Sequence, residues 1–148
     1  MSTLSRRTVL QSTGALWAFT LLPAHAQVPT LDAAIRAWAG AAQPREGRVV
    51  LEIAPLVENG NAVPITVRVD SPMTAADHVQ EIAVFNEHNP QRDVARFRLS
   101  PASGRAVVST RIRLATSQQL ATLARFSDGS IGLQRVDVLV TLAACIEG

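Results

Sequence analysis

The chain has one cysteine, no tyrosine and no lysine among its 148 residues. Without lysine, it has neither the amine needed for Schiff-base chemistry nor the lysine of a phosphate-binding loop. All 14 basic side chains are therefore arginines. Aromatic residues make up only 4% of the chain, whereas hydrophobic residues make up 47%. The length fits one domain, and its core must be mainly aliphatic.

Recognised catalytic and metal-binding motifs are also missing. No G-x-S-x-G nucleophile motif occurs, and only two histidines follow residue 26, His78 and His88. We expect no cofactor and no metal site, because the ligands would have to come from distant segments at no recognised spacing. A small thiol enzyme that pairs Cys145 with one of these histidines stays an alternative, although no motif brings a histidine to the cysteine.

The first 26 residues have the pattern of an export signal. Arg6 and Arg7 form a twin arginine, residues 9–22 are mostly apolar, and residues 24–26 supply an A-x-A cleavage site. The apolar run is shorter than the roughly 20 residues of a membrane-spanning helix, so we expect no membrane anchor after cleavage. The signal predicts a periplasmic protein, exported by the twin-arginine route and assembled with a partner.

The charge balance changes when this segment is removed. Without Arg6 and Arg7, 12 arginines face 12 acidic residues, because no acidic residue lies in the first 26. The basic isoelectric point of the whole chain therefore gives no reason to expect nucleic-acid binding.

The single cysteine, Cys145, lies three residues from the C-terminus. It cannot form an internal disulfide, so in an exported protein it indicates a reactive thiol or a bond to another chain. Chain ends are exposed and mobile unless something ties them down. We therefore predict a flexible carrier tail, residues 143–148, with a reach of roughly 15 Å beyond the last strand. A buried, inert cysteine is the alternative.

Residues 27–46 are predicted to form a short helix and a linker. Thr30 is a good N-cap for a helix over residues 31–39, which Gly40 would end. Leu31, Ile35 and Trp38 share one face of this helix, and we expect Trp38 to pack the helix onto the domain.

From residue 48 onward the pattern changes to alternating strands separated by turn residues. About seven short strands with turns between them and no second helix predict an all-β domain. The fold expected over residues 47–142 is an immunoglobulin-like antiparallel β-sandwich. On the last strand, Val136, Val138, Val140 and Leu142 are expected to share one face. The predicted strands span residues 49–53, 65–70, 78–86, 94–99, 105–114, 120–126 and 133–142.

Several short segments resemble one known family, SoxY, the sulfur-carrying subunit of the periplasmic thiosulfate-oxidising Sox system. The resemblance runs from about Leu31 to the end, and a twin-arginine leader also fits. The order and spacing of the matching segments are together more specific than any single segment. The pieces are Glu58-Asn59-Gly60 with Val63-Pro64, then Asn89-Pro90, then residues 109–115, then Asp128-Gly129, then a final strand that leads into a C-terminal cysteine.

The resemblance implies that Cys145 carries thiosulfate-derived sulfur as a covalent adduct, and that the chain is a carrier rather than an enzyme. It also implies a heterodimer with a second small sandwich subunit, SoxZ. A cytochrome, a sulfatase-like hydrolase and a sulfur dehydrogenase would visit the tail in turn.

The tail departs from the Gly-Gly-Cys-Gly-Gly pattern of that family. Alanines precede Cys145, and Ile146 and Glu147 follow it. These residues restrict the backbone more than glycine does, and the glutamate adds negative charge. A structural or assembly subunit that has lost the carrier function is therefore a second hypothesis. Arg111 and Arg113, on one strand face, are either a subunit contact or a solvated surface.

Overall fold

The computed structural model describes residues 27–144. The predicted signal, residues 1–26, and the predicted attachment point, Cys145, lie outside these residues. Within the described range, no helix is long and apolar enough to cross a membrane.

One helix and nine strands form the described part of the chain. Seven strands have four residues or more, which matches the number predicted. The segment predicted as a strand over residues 120–126 is a strand, and it begins two residues earlier, at Gln118. The elements are α1 (Leu31–Ala39), β1 (Arg45–Glu46), β2 (Val49–Glu52), β3 (Leu56–Val57), β4 (Val63–Val69), β5 (Val79–Asn86), β6 (Asp93–Arg98), a single 3-10 turn (Pro101–Ser103), β7 (Val107–Ile112), β8 (Gln118–Phe126) and β9 (Ile131–Val140).

The strands form two sheets. The smaller sheet has the order β2-β4-β7, and the larger has the order β1-β9-β8-β5-β6, with β3 also paired to β9. All pairs are antiparallel except those of the two-residue strands β1 and β3, which run parallel to β9. The predicted immunoglobulin-like sandwich with a short N-terminal helix is confirmed.

The core between the sheets is aliphatic, as the composition predicts. On β4, Ile65 and Val67 are buried whereas Arg68 is exposed, so the strict alternation in the sequence sets which face points inward. Ile82 and Leu120 of the larger sheet are fully buried in the same cluster. Each such side chain contributes roughly 1.5–3 kcal/mol of burial free energy.

The helix packs on the outer face of the larger sheet and begins where the sequence predicts. The Thr30 hydroxyl accepts a hydrogen bond from the Ala33 amide at 3.2 Å. Ile35 is buried in a second apolar cluster, and the half-buried Trp38 packs against it, which confirms the expected role of Trp38. The Arg125 guanidinium lies 4.5 Å from the Trp38 ring centroid. The helix therefore belongs to the body of the sandwich.

Two short strands and one strand end differ from the predictions. Arg45–Glu46, in the predicted linker, and Leu56–Val57, in a predicted loop, both pair with β9. Two residues are too few to show a strand period. The last strand ends at Val140, and Leu142 is 62% exposed whereas Val138 is buried, so the prediction that Leu142 shares the face of Val138 is wrong. The chain bends after Val140, which takes Leu142 off the inward face.

Candidate functional site

The described chain ends at one end of the sandwich, among three loops. Strand β4 begins there, and β5 and β7 end there, because neighbouring strands are antiparallel. We call residues 141–144 the tail root, since they follow the last strand and precede Cys145. The loops are residues 58–62, 87–92 and 113–117, and we call this the tail end of the molecule.

Three backbone hydrogen bonds join the tail root to the body. The Thr141 amide donates to the Val57 carbonyl at 3.0 Å, and the Leu142 carbonyl accepts from the Gly60 amide at 2.8 Å. The Ala144 amide donates to the Leu114 carbonyl at 3.1 Å, and Ala144 is only 7% exposed. The sequence alone suggests a tail that leaves the body directly after the last strand. In the structure, residues 141–144 instead remain hydrogen-bonded to the body.

Gly60 lies where the tail root meets the loop after β7. A Cβ atom at this position would come within 3.0 Å of both the Leu114 carbonyl oxygen and the Ala144 nitrogen, which is closer than side chains approach such atoms. Gly60 has no positive φ, so space rather than backbone conformation requires glycine here. The Asn59-Gly60 pair, which the sequence identifies only as a turn, also makes room for the tail.

The Asn89 side chain joins two of the loops at the tail end. Its amide nitrogen donates to the Arg113 carbonyl at 2.8 Å, and its oxygen accepts from the Ala115 amide at 3.0 Å. The same oxygen accepts from Gln118 Nε2 at 2.8 Å. Asn89 therefore fixes the loop that carries Leu114, whose carbonyl holds Ala144.

Gln118 is buried at the tail end and uses both ends of its amide. Its Oε1 accepts from the backbone amides of Glu87 and His88, at 3.2 and 2.9 Å. Its Nε2 donates to the Thr116 carbonyl at 3.1 Å, in addition to Asn89. The sequence does not reveal Gln118, because it lies between two predicted strands, 105–114 and 120–126, and its partners in the loop at residues 87–92 are distant in sequence.

The two histidines lie at opposite ends of the sandwich. His78 precedes β5, where its Nδ1 is 3.0 Å from the Thr74 carbonyl oxygen, far from the tail root. His88 lies at the tail end, with its Nε2 3.8 Å from Glu87 Oε1. The fold therefore gives no support to a pairing of Cys145 with His78. Among residues 27–144, no three His, Cys, Asp or Glu side chains are grouped to hold a metal ion.

The surface beside the tail root is apolar. Leu56 and Leu139 are neighbours across the β3–β9 pair and are 54% and 61% exposed. Leu142, within the root itself, is the third exposed leucine of this edge. Arg111 and Arg113 are exposed around β7, and nothing in the described chain covers them.

Most of the segments that carry the family resemblance meet at the tail end. Residues 58–60, 89–90 and 113–115 are far apart in sequence, yet backbone and side-chain hydrogen bonds join them there. Asp128-Gly129 lies at the other end, in the turn between β8 and β9. There the Ser130 hydroxyl and amide donate to Asp128, and these bonds lower the pKa of its carboxyl. Its role is to shape a turn.

Comparisons with known proteins agree with the family resemblance of these segments and with the fold. A family model described as sulfur oxidation protein SoxY matches residues 35–145. A search of curated proteins found no match. The structure of the sulfur carrier protein SoxY from Chlorobium limicola f thiosulfatophilum is similar, with a TM-score of 0.64 and 28% sequence identity over 76% of this chain and 97% of that one.

Superoxide reductases share the fold at lower identity. The enzyme (neelaredoxin) from Ignicoccus hospitalis has a TM-score of 0.58 at 16% identity, covering 64% of this chain and 80% of that one. A putative superoxide reductase from Thermotoga maritima has a TM-score of 0.57 at 20% identity, covering 67% and 93%. These two likenesses concern the fold alone.

Proposed function

The chain belongs to the SoxY family of sulfur oxidation proteins, and from this premise we propose that it is a periplasmic carrier that holds thiosulfate-derived sulfur covalently on Cys145. The family match and the similar carrier structure support a carrier subunit of sulfur oxidation. The observation that carries the finer proposal is the position of the only cysteine, one residue beyond a root at which three family segments meet.

Thiol chemistry suits this role. A thiolate is both a good nucleophile and a good leaving group, so it can accept and release sulfur groups by exchange. In the loading step, a new S–S bond joins the cysteine sulfur to the sulfane sulfur of thiosulfate. The thiol loses its proton, and two electrons pass to the cytochrome. Water then cleaves the bond between the two thiosulfate-derived sulfur atoms, which releases sulfate and leaves a persulfide on the cysteine.

The carrier needs partners for each of these steps. We propose that it pairs with a SoxZ-like second sandwich subunit and meets the cytochrome, hydrolase and dehydrogenase components of the Sox system. These enzymes supply the catalysis, and the chain supplies the attachment point. The twin-arginine signal supports a periplasmic location for this exchange.

The carrier role is tested by Cys145→Ser in a reconstituted thiosulfate-oxidising system. We expect the variant to keep its fold and partner binding but to lose essentially all thiosulfate-dependent electron transfer to the cytochrome. The hydroxyl of serine cannot form the S–S bond. Binding of the variant to its partner subunit, measured separately, serves as the control for assembly.

A structural or assembly subunit is the second candidate, and the non-glycine tail is the observation that favours it. In that case Cys145→Ser would leave thiosulfate oxidation at the wild-type rate. The same experiment therefore decides between the two functions, since they predict opposite rates for one variant.

A further inference from the structure

We propose that Gly60 is a positioning residue, which holds the tail root against the body so that Cys145 is presented from a fixed point. This inference deepens the carrier function proposed above. Its structural basis is a closed set of backbone hydrogen bonds between Gly60, Leu114 and the root.

Both backbone groups of Gly60 and of Leu114 are used in this set. The Gly60 amide donates to Leu142, and the Gly60 carbonyl accepts from the Leu114 amide at 2.9 Å. The Leu114 carbonyl in turn accepts from Ala144. Leu114 is 0% exposed and belongs to the core between the sheets. The root is therefore attached to a fully buried core residue, and the absence of a side chain at Gly60 leaves the space that the root occupies.

Fixing Ala144 changes how far the thiol can travel. An arm that began at Val140 would have five residues up to the cysteine and a reach of roughly 17 Å. An arm that begins at Ala144 has one residue, which extends the backbone by only about 4 Å. A short arm loses less conformational entropy when it enters a partner's cleft. The non-glycine residues 143 and 144 fit this reading, because a held root needs no glycine freedom.

The lone cysteine allows a direct test, since a nitroxide spin label on the full-length protein attaches at Cys145 alone. In Gly60→Ala, the added methyl group would push the root off Leu114. We expect the label to change from a restricted to a fast-motion electron paramagnetic resonance spectrum. Hydrogen exchange at the Ala144 amide should become about tenfold faster, as one lost hydrogen bond implies.

Gly132→Ala is the matched control. A Cβ atom at Gly132 would also be crowded, at 2.8 Å from Val49 Cγ2, but it lies at the start of β9, away from the root. This variant should disturb the body and leave the label spectrum unchanged. If both glycine variants altered the label equally, Gly60 would have no special role in positioning.

A second pair of variants tests the hydrogen bond between Ala144 and Leu114 while Gly60 stays unchanged. Ala144→Pro removes the amide that donates to Leu114, whereas the Ala143 amide has no hydrogen-bond partner among residues 27–144. We therefore expect Ala144→Pro to free the label and Ala143→Pro to leave it restricted. A fast-motion spectrum in the unmutated protein, or equal spectra for the two proline variants, would overturn the proposal. Neither thiosulfate nor a partner enzyme enters this experiment, so its outcome is independent of the carrier function.

Discussion

Single residues at the tail end show which features the sequence reveals and which it hides. Asn59-Gly60 is a plain turn signal, and the turn is present. Its second role, as the space into which Ala144 fits, depends on a contact across more than 80 residues. The hydrogen bonds by which Asn89 and Gln118 join the loops also link residues 24 to 31 positions apart. No local pattern encodes them, so they could be found only once the fold was known.

At this scale we predict that Gln118→Met destabilises the protein by about 1–3 kcal/mol. Methionine has a similar volume but cannot hydrogen-bond the amides of Glu87 and His88, which would lose their partner in a half-buried loop. Urea denaturation monitored by fluorescence would measure the change.

Gln119→Met is the control for this substitution. The half-buried Gln119 makes solvent-exposed side-chain hydrogen bonds with Asp137 and Arg135, and water can replace these partners. Its loss should cost less than about 1 kcal/mol. A Gln118 variant no less stable than the Gln119 variant would show that the buried amide does not hold the tail-end loops.

Among the elements, helix α1 and the seven longer strands follow from capping and periodicity alone. The helix begins after Thr30 and ends before Gly40 as predicted, because the cap residues and the apolar face agree with each other. Strands β1 and β3 have no such signal, since their partner β9 supplies the pairing. The exposed position of Leu142 also depends on residues distant in sequence. After Val140, hydrogen bonds to Val57 and Gly60 determine the path of the chain, and the strand alternation no longer applies.

The ion pair between Asp32 of the helix and Arg135 of β9 predicts that the stability of the protein depends on pH. Asp32 Oδ1 lies 2.6 Å from Arg135 Nη2, and this hydrogen bond and charge lower the pKa of the Asp32 carboxyl below its usual 3.8. Since the folded pKa is below the unfolded one, the ion pair contributes stability above about pH 4 and loses it as the pH falls through the folded pKa. Asp32→Asn should therefore be slightly less stable than wild type at neutral pH and equally stable at about pH 2.

Thermal unfolding of the wild type and of Asp32→Asn across this pH range would measure the difference in their stability. Asp70→Asn serves as the control, because the Asp70 carboxylate makes no ion pair within the described range. A gap between wild type and Asp32→Asn that stayed constant down to about pH 2 would contradict the assignment of this ion pair.

For the whole molecule, the sequence predicts the sandwich and the family but not the convergence of its motifs. The segments around Gly60, Asn89 and Leu114 are separated by long strands, and only the antiparallel pairing brings them to the end of the sandwich that holds the tail root. This placement gives the family segments a physical purpose. They form the hydrogen-bonded end of the sandwich that holds residues 141–144, from which we propose that the terminal thiol is presented to other proteins.

The most direct test of this function is the intact mass of the protein after incubation with thiosulfate, the cytochrome component and an electron acceptor. We predict a covalent sulfur-containing adduct on the wild-type chain, located by peptide mapping at Cys145 and removed by a thiol reductant. The Cys145→Ser variant should keep its unmodified mass. An unmodified wild-type chain, under conditions in which a SoxY protein of the usual tail sequence is loaded, would contradict the proposal that this chain carries sulfur.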